Sequence, residues 1–339
     1  MRNSRLPPGA LLALSAYLLP MPVTMAKDDV ADFFRGKTVQ LIVPSTMGGS
    51  VGLYGRLAAE HLGKHIPGNP TVIPQSMPGA GGLTAVRYIT GVAAKDGTII
   101  GEVLGPALLV PLLKPKSYDP HEIKWLGSLT ARPGTVVVWH TAPAKTLADA
   151  KKVELKMGSS GAGSGNFWIP TLSNAVLGTK FKLVLGYPGG NEINLAMERR
   201  EVDGRFNFWS GWTTVKRDWL KQKKLTFLFR TGPKTAGMPE VPSMTELTGG
   251  DDRKLAEIVT APDEVGVGFY ISSRVPADRA AALIKAFEAT ANDKDLRAAA
   301  DKLNAPIDPV KADVVQRVVD SIYSAPDHIV NRLKTIVSP

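Results

Sequence analysis

The chain has 339 residues, 41 lysines and arginines against 31 acidic residues, and no cysteine. At about 100–200 residues per domain the length predicts two domains, and 44% hydrophobic with 21% charged residues excludes wholesale disorder. The absence of cysteine excludes disulfides, thiolate metal centres, thiol catalysis and a cysteine-linked lipid anchor, while the net charge of +10 points to anionic partners in general.

Residues 1–26 read as a secretory signal peptide. Arg2 and Arg5 make a basic start, 6–19 is mostly apolar, Pro20 and Pro22 break it, and Thr24-Met25-Ala26 places small residues at a cleavage site. An uncleaved anchor is the alternative, but the apolar run is short of the roughly 20 residues of a membrane span. No later segment is apolar for long enough to span. The expected product is an exported protein, cleaved near Ala26, with a bacterial periplasm as its simplest destination.

Residues 38–44 form a nearly continuous apolar run, suited to a strand buried on both faces of a parallel sheet. After Gly48-Gly49-Ser50, the residues Val51, Tyr54, Leu57, Ala58 and Leu62 recur at helical spacing. The cluster at 67–70 ends that helix, and 71–74 reads as a strand. Pro78-Gly79-Ala80-Gly81-Gly82 is a tight loop before a helix over 83–92, and 98–104 is a third strand. The first third is therefore β-α-β-α-β, the pattern of a doubly wound α/β domain.

The pattern then restarts. Strands are predicted over 135–139, 154–157, 181–186, 225–229 and 267–271, with another around Phe206. Helices are predicted over 146–152, 167–177, 191–200, 280–291 and 313–323. The reading is two α/β lobes: residues 27–128 with 255–339 in the first, and 129–254 in the second.

Several glycine-rich loops sit between a predicted strand and a predicted helix. In open α/β sheets, ligands bind beyond the carboxyl ends of the strands. A helix start presents unpaired N–H groups and the positive end of its dipole, and glycine lets a ligand approach the backbone closely. Such a site favours carboxylate or phosphate. Ordinary turn chemistry uses the same residues and is the competing reading for any single loop.

Specific catalytic and cofactor motifs fail. Gly158 and Gly163 have P-loop spacing, but Ser164 stands where lysine is required. The dinucleotide fingerprint would need glycine at Asn166 or at Thr84. The nucleophile elbow of hydrolases fails at Ser160, followed by Ala162, and at Ser164, preceded by it. His61 and His65 have metal-pair spacing without an evident third ligand, and are expected to be solvated. Basic residues around 216–224 lie near Trp212 and Trp219, but their helical pattern suits a solvated face, so no nucleic-acid partner is expected. The cluster Phe206, Phe208, Trp209, Trp212 reads as core packing or as the apolar wall of a pocket.

In order, the chain carries Leu41-Ile42-Val43-Pro44 with Gly48-Gly49 and Arg56, Pro78-Gly79-Ala80-Gly81-Gly82 and Asp96-Gly97-Thr98. It continues with the segment 158–164, Tyr187-Pro188-Gly189-Gly190, Val202-Asp203-Gly204, and Pro239-Glu240-Val241-Pro242 with Glu246. This ordered set resembles the substrate-binding proteins of tripartite tricarboxylate transporters, the Bug family. The resemblance implies a two-lobed periplasmic binding protein of type II, a Venus flytrap that closes over a small carboxylate and delivers it to membrane permease subunits. It implies a non-enzymatic monomer with no cofactor and no metal.

By the same resemblance, the ligand-binding residues are Ser45, Thr46, Met47, Gly48 and Gly49 in one lobe. In the other they are Ser159, Ser160, Gly161, Ala162, Gly163, Ser164, Tyr187, Pro188, Gly189 and Gly190, with Asp203 near the cleft. The chain departs from the family at Gly52, where aspartate is usual, at Met77, where a basic residue is frequent, and at Ser45-Thr46-Met47, which lacks a proline before Gly-Gly. Loss of the acidic group at Gly52 suits a more anionic ligand or one without an ammonium group. An exported hydrolase on a similar fold, or a homologue repurposed for protein interaction, are the competing functions.

Overall fold

The computed structural model describes Met1, residues 30–161 and residues 164–337. The expected signal peptide, Met1 apart, and Ala162 and Gly163 of the second-lobe loop lie outside the described residues.

Eleven strands are formed among the described residues: β1 Thr38–Val43, β2 Thr71–Ser76, β3 Ile99–Glu102, β4 Ile123–Ser128, β5 Gly134–Trp139, β6 Leu155–Gly158, β7 Phe181–Val184, β8 Gly204–Phe208, β9 Leu225–Thr231, β10 Gly268–Ser272 and β11 Val310–Lys311. They make two sheets, ordered β2-β1-β3-β10-β4-β11 and β7-β6-β8-β5-β9. Each sheet is the expected α/β arrangement, with parallel pairing of β1 to β2 and β3, and of β6 to β7 and β8. Each also holds a strand that runs against its neighbours: β10 against β3 and β4, and β5 against β8 and β9. These are the first strands reached after each crossing between the sheets. The result is a two-lobed α/β fold with mixed rather than wholly parallel sheets.

The apolar runs explain the central strands. Leu41, Ile42 and Val43 are fully buried, as are Val136, Val137 and Val138, because helices cover both faces of each sheet. Among the elements that escaped the sequence reading, two did so for opposite reasons. Strand β4 is interrupted by Lys124 and Gly127, and the helix Gly105–Leu113 is apolar nearly throughout, with Pro106 and Pro111, so neither shows a period. One core cluster extends from Ile42 and Trp125 on the first sheet to Val136 and Phe206 on the second, with Ile329 and Leu333 of the last helix. That helix, Asp327–Val337, packs against helix Gly165–Leu177 and helix Gly105–Leu113, and so touches elements following β6 and β3.

The chain passes between the sheets through residues 129–133 and 261–267. The two connections are tied to each other: Leu129 N donates to Val267 O (3.0 Å), Val267 N to Thr130 O (3.0 Å), and Arg132 N to Asp263 O (2.7 Å). Gly266 sits at φ +55°, and a Cβ there would fall 2.2 Å from Thr130 O, so close approach of the connections requires glycine. Among the described residues no helix is long and apolar enough to cross a membrane.

Candidate functional site

Three long helices begin directly after glycine loops at carboxyl ends of parallel strands. They are Ser50–Leu62 after β1, Gly165–Leu177 after β6, and Gly190–Glu198 after β7. Their N-cap residues Gly49, Ser164 and Gly189 provide no side-chain cap. First-turn N–H groups and the positive dipole ends therefore remain available at all three loops.

Ser164 is the informative case, because serine is normally a good N-cap. Its hydroxyl instead donates to Gly161 O (2.6 Å), with Asn166 Oδ1 as the competing acceptor for the same proton. The same Oδ1 accepts from Ser159 Oγ (3.2 Å), Ser160 N (3.0 Å) and Ser160 Oγ (3.2 Å). With the Ser164 proton on Gly161 O, three donors still converge on an oxygen with two lone pairs, so one is left over for another acceptor. Asn166 was not among the expected binding residues. Its position directly after the serine-glycine run, on the first turn of the helix, was the available signal.

The structure joins the two second-lobe loops. Ser159 N donates to Val184 O (2.9 Å) and Tyr187 N to Ser159 O (3.4 Å). Beneath the 187–190 loop lies Arg205 of β8, which is 4% exposed. Its Nη1 donates to Gly190 O and to Asn194 Oδ1 (2.9 Å), and its Nε to Phe206 O (3.1 Å). Burial pushes its pKa down to about 9, with Glu192 partly offsetting the shift. Asp203 does not join these loops. It precedes β8, where its carboxylate accepts Lys156 N (2.8 Å) and its carbonyl accepts Trp139 N (2.7 Å). It ties β5, β6 and β8 together at the strand end away from the Ser159 loop.

The first-lobe loop folds back on its own helix. Met47 O accepts from Arg56, and a Cβ at Gly52 would lie 2.5 Å from Met47 Cα and 2.6 Å from Met47 O. Gly52 is thus the residue that allows the 45–49 backbone to lie against the helix. An aspartate at that position would displace the loop as it stands here.

The two lobes meet beside this loop. Arg132, from the first connection, donates Nη2 to Ser50 Oγ (3.0 Å) and stands 4.2 Å from the Phe208 ring centre. Helix Ser50–Leu62 also packs against helix Trp209–Thr214. Of the aromatic cluster, Phe206, Trp209 and Trp212 are core, with Trp212 Nε1 donating to Thr135 Oγ1 (2.9 Å). Phe206 and Phe208 also line a cavity of 20 Å³ between the lobes, with Gly105, Gly165, Trp168 and Asp263. Core packing therefore holds for Phe206, Trp209 and Trp212, and the cavity beside Phe206 and Phe208 is about the size of one water molecule.

Around the connections lie further buried ionisable groups. Burial raises Glu102 well above the usual carboxylate range, with Arg132 opposing, and raises Asp263 to about 7, with Thr231 and Arg132 opposing. Thr231 Oγ1 donates to Asp263 Oδ2. His61 and His65 are not solvated as expected. His61 is buried, and His65 Nε2 lies 2.7 Å from Asp293 Oδ2, because the end of helix Ser50–Leu62 packs against the helix that follows Asp293. Among the described residues no group of three or more His, Cys, Asp or Glu side chains is placed to hold a metal.

No protein-family model and no curated protein matches the sequence. Solved structures do match the fold. The periplasmic binding protein BugD aligns over 88% of this chain and 97% of its own, at 19% identity and a TM-score of 0.67. The fold is that of periplasmic binding proteins. MatC from Rhodopseudomonas palustris, with bound malate, aligns over 89% of this chain and 99% of its own, at 20% identity and a TM-score of 0.65. A second R. palustris protein, with adipate, covers 89% of this chain and 97% of its own, at 17% identity and a TM-score of 0.65.

Proposed function

We propose that the protein is an exported solute-binding protein of the tripartite tricarboxylate transporter type. It captures a small carboxylate between its lobes and delivers it to the permease subunits of that transporter. The carrying observation is the serine-rich loop at Asn166, where more donors converge than one amide oxygen can accept, at a helix start with no side-chain cap. A buried carboxylate needs its oxygens hydrogen-bonded, and this loop supplies N–H and O–H donors with dipole support. The residues proposed to line the site are 45–49, 159–164 and 187–190, with Asn166 added. Asp203 is proposed to support the second lobe rather than touch the ligand. Structural relatives bind malate and adipate, both small dicarboxylates, on the same fold.

The division into lobes at 128/129 and 254/255, a periplasmic location with cleavage near Ala26, and a monomeric state belong to the same proposal. Ser160 and Ser164 donate to an amide oxygen, which is too weakly basic to activate a hydroxyl. This favours binding over the hydrolase reading. A melting-temperature screen of residues 27–339 against malate, adipate, tricarboxylates, acidic amino acids and neutral controls tests the function. A ligand at about 100 times its Kd adds about 2.7 kcal/mol. A concentration-dependent rise for carboxylates alone is expected. A flat response from folded, ligand-free protein refutes the reading and favours a repurposed interaction protein.

A further inference from the structure

The carboxylate-binding loops leave Arg132 without an assigned role. Its side chain is 6% exposed, Nη2 reaches Ser50 Oγ, and Nε is buried with no acceptor. Among the described residues no carboxylate comes within the 4.0 Å of an ion pair. A guanidinium without a counter-ion is costly to bury, and this one stands at the positive end of helix Ser50–Leu62, which raises the cost further. The negative groups around it are poorly placed to compensate. Both Glu102 oxygens are buried with no hydrogen-bond donor, and burial favours the neutral acid there. Asp263 is engaged by Thr231, and the Tyr54 hydroxyl donates to Pro306 O (3.1 Å). Arginine does not lose its charge in proteins, so the imbalance belongs to the site.

We propose that Arg132 is the specificity-determining cation of this protein, its guanidinium pairing with one carboxylate of the ligand between Ser50 of the first lobe and Phe208 of the second. The inference rests on the carboxylate-binding reading and adds to it a charge partner outside the glycine loops. Ser50 and the face of Phe208 fix the guanidinium plane, so the ligand group meets a preorganised fork. Because Ser50 and Phe208 belong to different lobes, the ligand's charge is matched fully when both are in place.

Calorimetric titration with malate and adipate tests the assignment on the wild type, Arg132→Gln and Arg132→Lys. Loss of a charge-assisted contact should weaken binding about 10- to 100-fold in Arg132→Gln, with part of the affinity kept in Arg132→Lys. If Arg132→Gln does not fold, the wild type decides: its Arg132 Nε–H NMR signal, identified by its absence in Arg132→Lys, should move on saturation with malate. Affinity within twofold of wild type in a folded Arg132→Gln, or an unmoved Nε–H signal, overturns the inference while leaving the carboxylate reading intact. If another carboxylate of the melting screen binds instead, the titration uses that one; a wild type that responds to no carboxylate of the screen overturns both.

Discussion

Gly52→Ala is a small change with a large expected consequence. The added Cβ would sit 2.5 Å from Met47 Cα, about 0.9 Å short of ordinary contact at 3.4 Å, and its other neighbours are Met47 O and C. All three are backbone atoms, so no side chain can turn aside and the 45–49 loop must move. Alanine in a helix is favoured over glycine by about 1 kcal/mol, whereas overpacking costs about 1–3 kcal/mol. The net expectation is a loss of up to about 2 kcal/mol, or a Tm lowered by up to about 3 °C for a protein of this size. The loop also loses its register with helix Ser50–Leu62 and with Arg56, so carboxylate affinity should fall by about tenfold or more. Thermal unfolding and calorimetric titration with malate measure the two effects. A Tm raised by the helix-propensity gain, with unchanged affinity, would refute the claim that Gly52 places this loop.

Asn166→Ala removes the acceptor for Ser159, Ser160 and Ser164; a stability loss of about 1–3 kcal/mol is expected by chemical denaturation, together with weaker carboxylate binding by calorimetry. Asp263 is raised from about 4 to about 7, so its stabilisation is complete below the unfolded value and is lost as pH rises through about 7. Asp263→Asn should flatten that decline, which is at most about 4 kcal/mol, in melting curves taken from pH 4 to 8. Asp293 has the opposite sign. Burial alone would raise it, but Lys64, His65 and the backbone N–H groups of Asp295 and Leu296 outweigh that and hold it well below the carboxylate range. Its contribution is fully present above about pH 4 and falls progressively as pH drops towards the depressed folded value, so Asp293→Asn should lower Tm more at pH 7 than at pH 2.

The site was legible where the chemistry is local. Glycine loops after apolar strand runs announced the helix starts, since both signals lie within a dozen residues. Asn166 was within the same reach but carries no motif. Arg132 and Phe208 could not be read as a pair with Ser50, because 82 residues separate Arg132 from Ser50 and the charge pattern around each is unremarkable. The fold-back of the 45–49 loop onto Gly52 adds a steric constraint that no local pattern in the chain announces.

The sequence alone determined the alternation of strands and helices, the two α/β halves and the anion-suited loops, because periodic burial and turn chemistry are short-range properties. Tertiary structure decided which strands run against their neighbours, since β5 and β10 enter their sheets only after crossing between lobes. It also decided the environment of the ionisable groups. Glu102, Arg132 and Asp263 look ordinary in the chain and become buried only in the folded molecule. Hydrophobic burial can be anticipated from composition, but the desolvation of a charge depends on what folds over it.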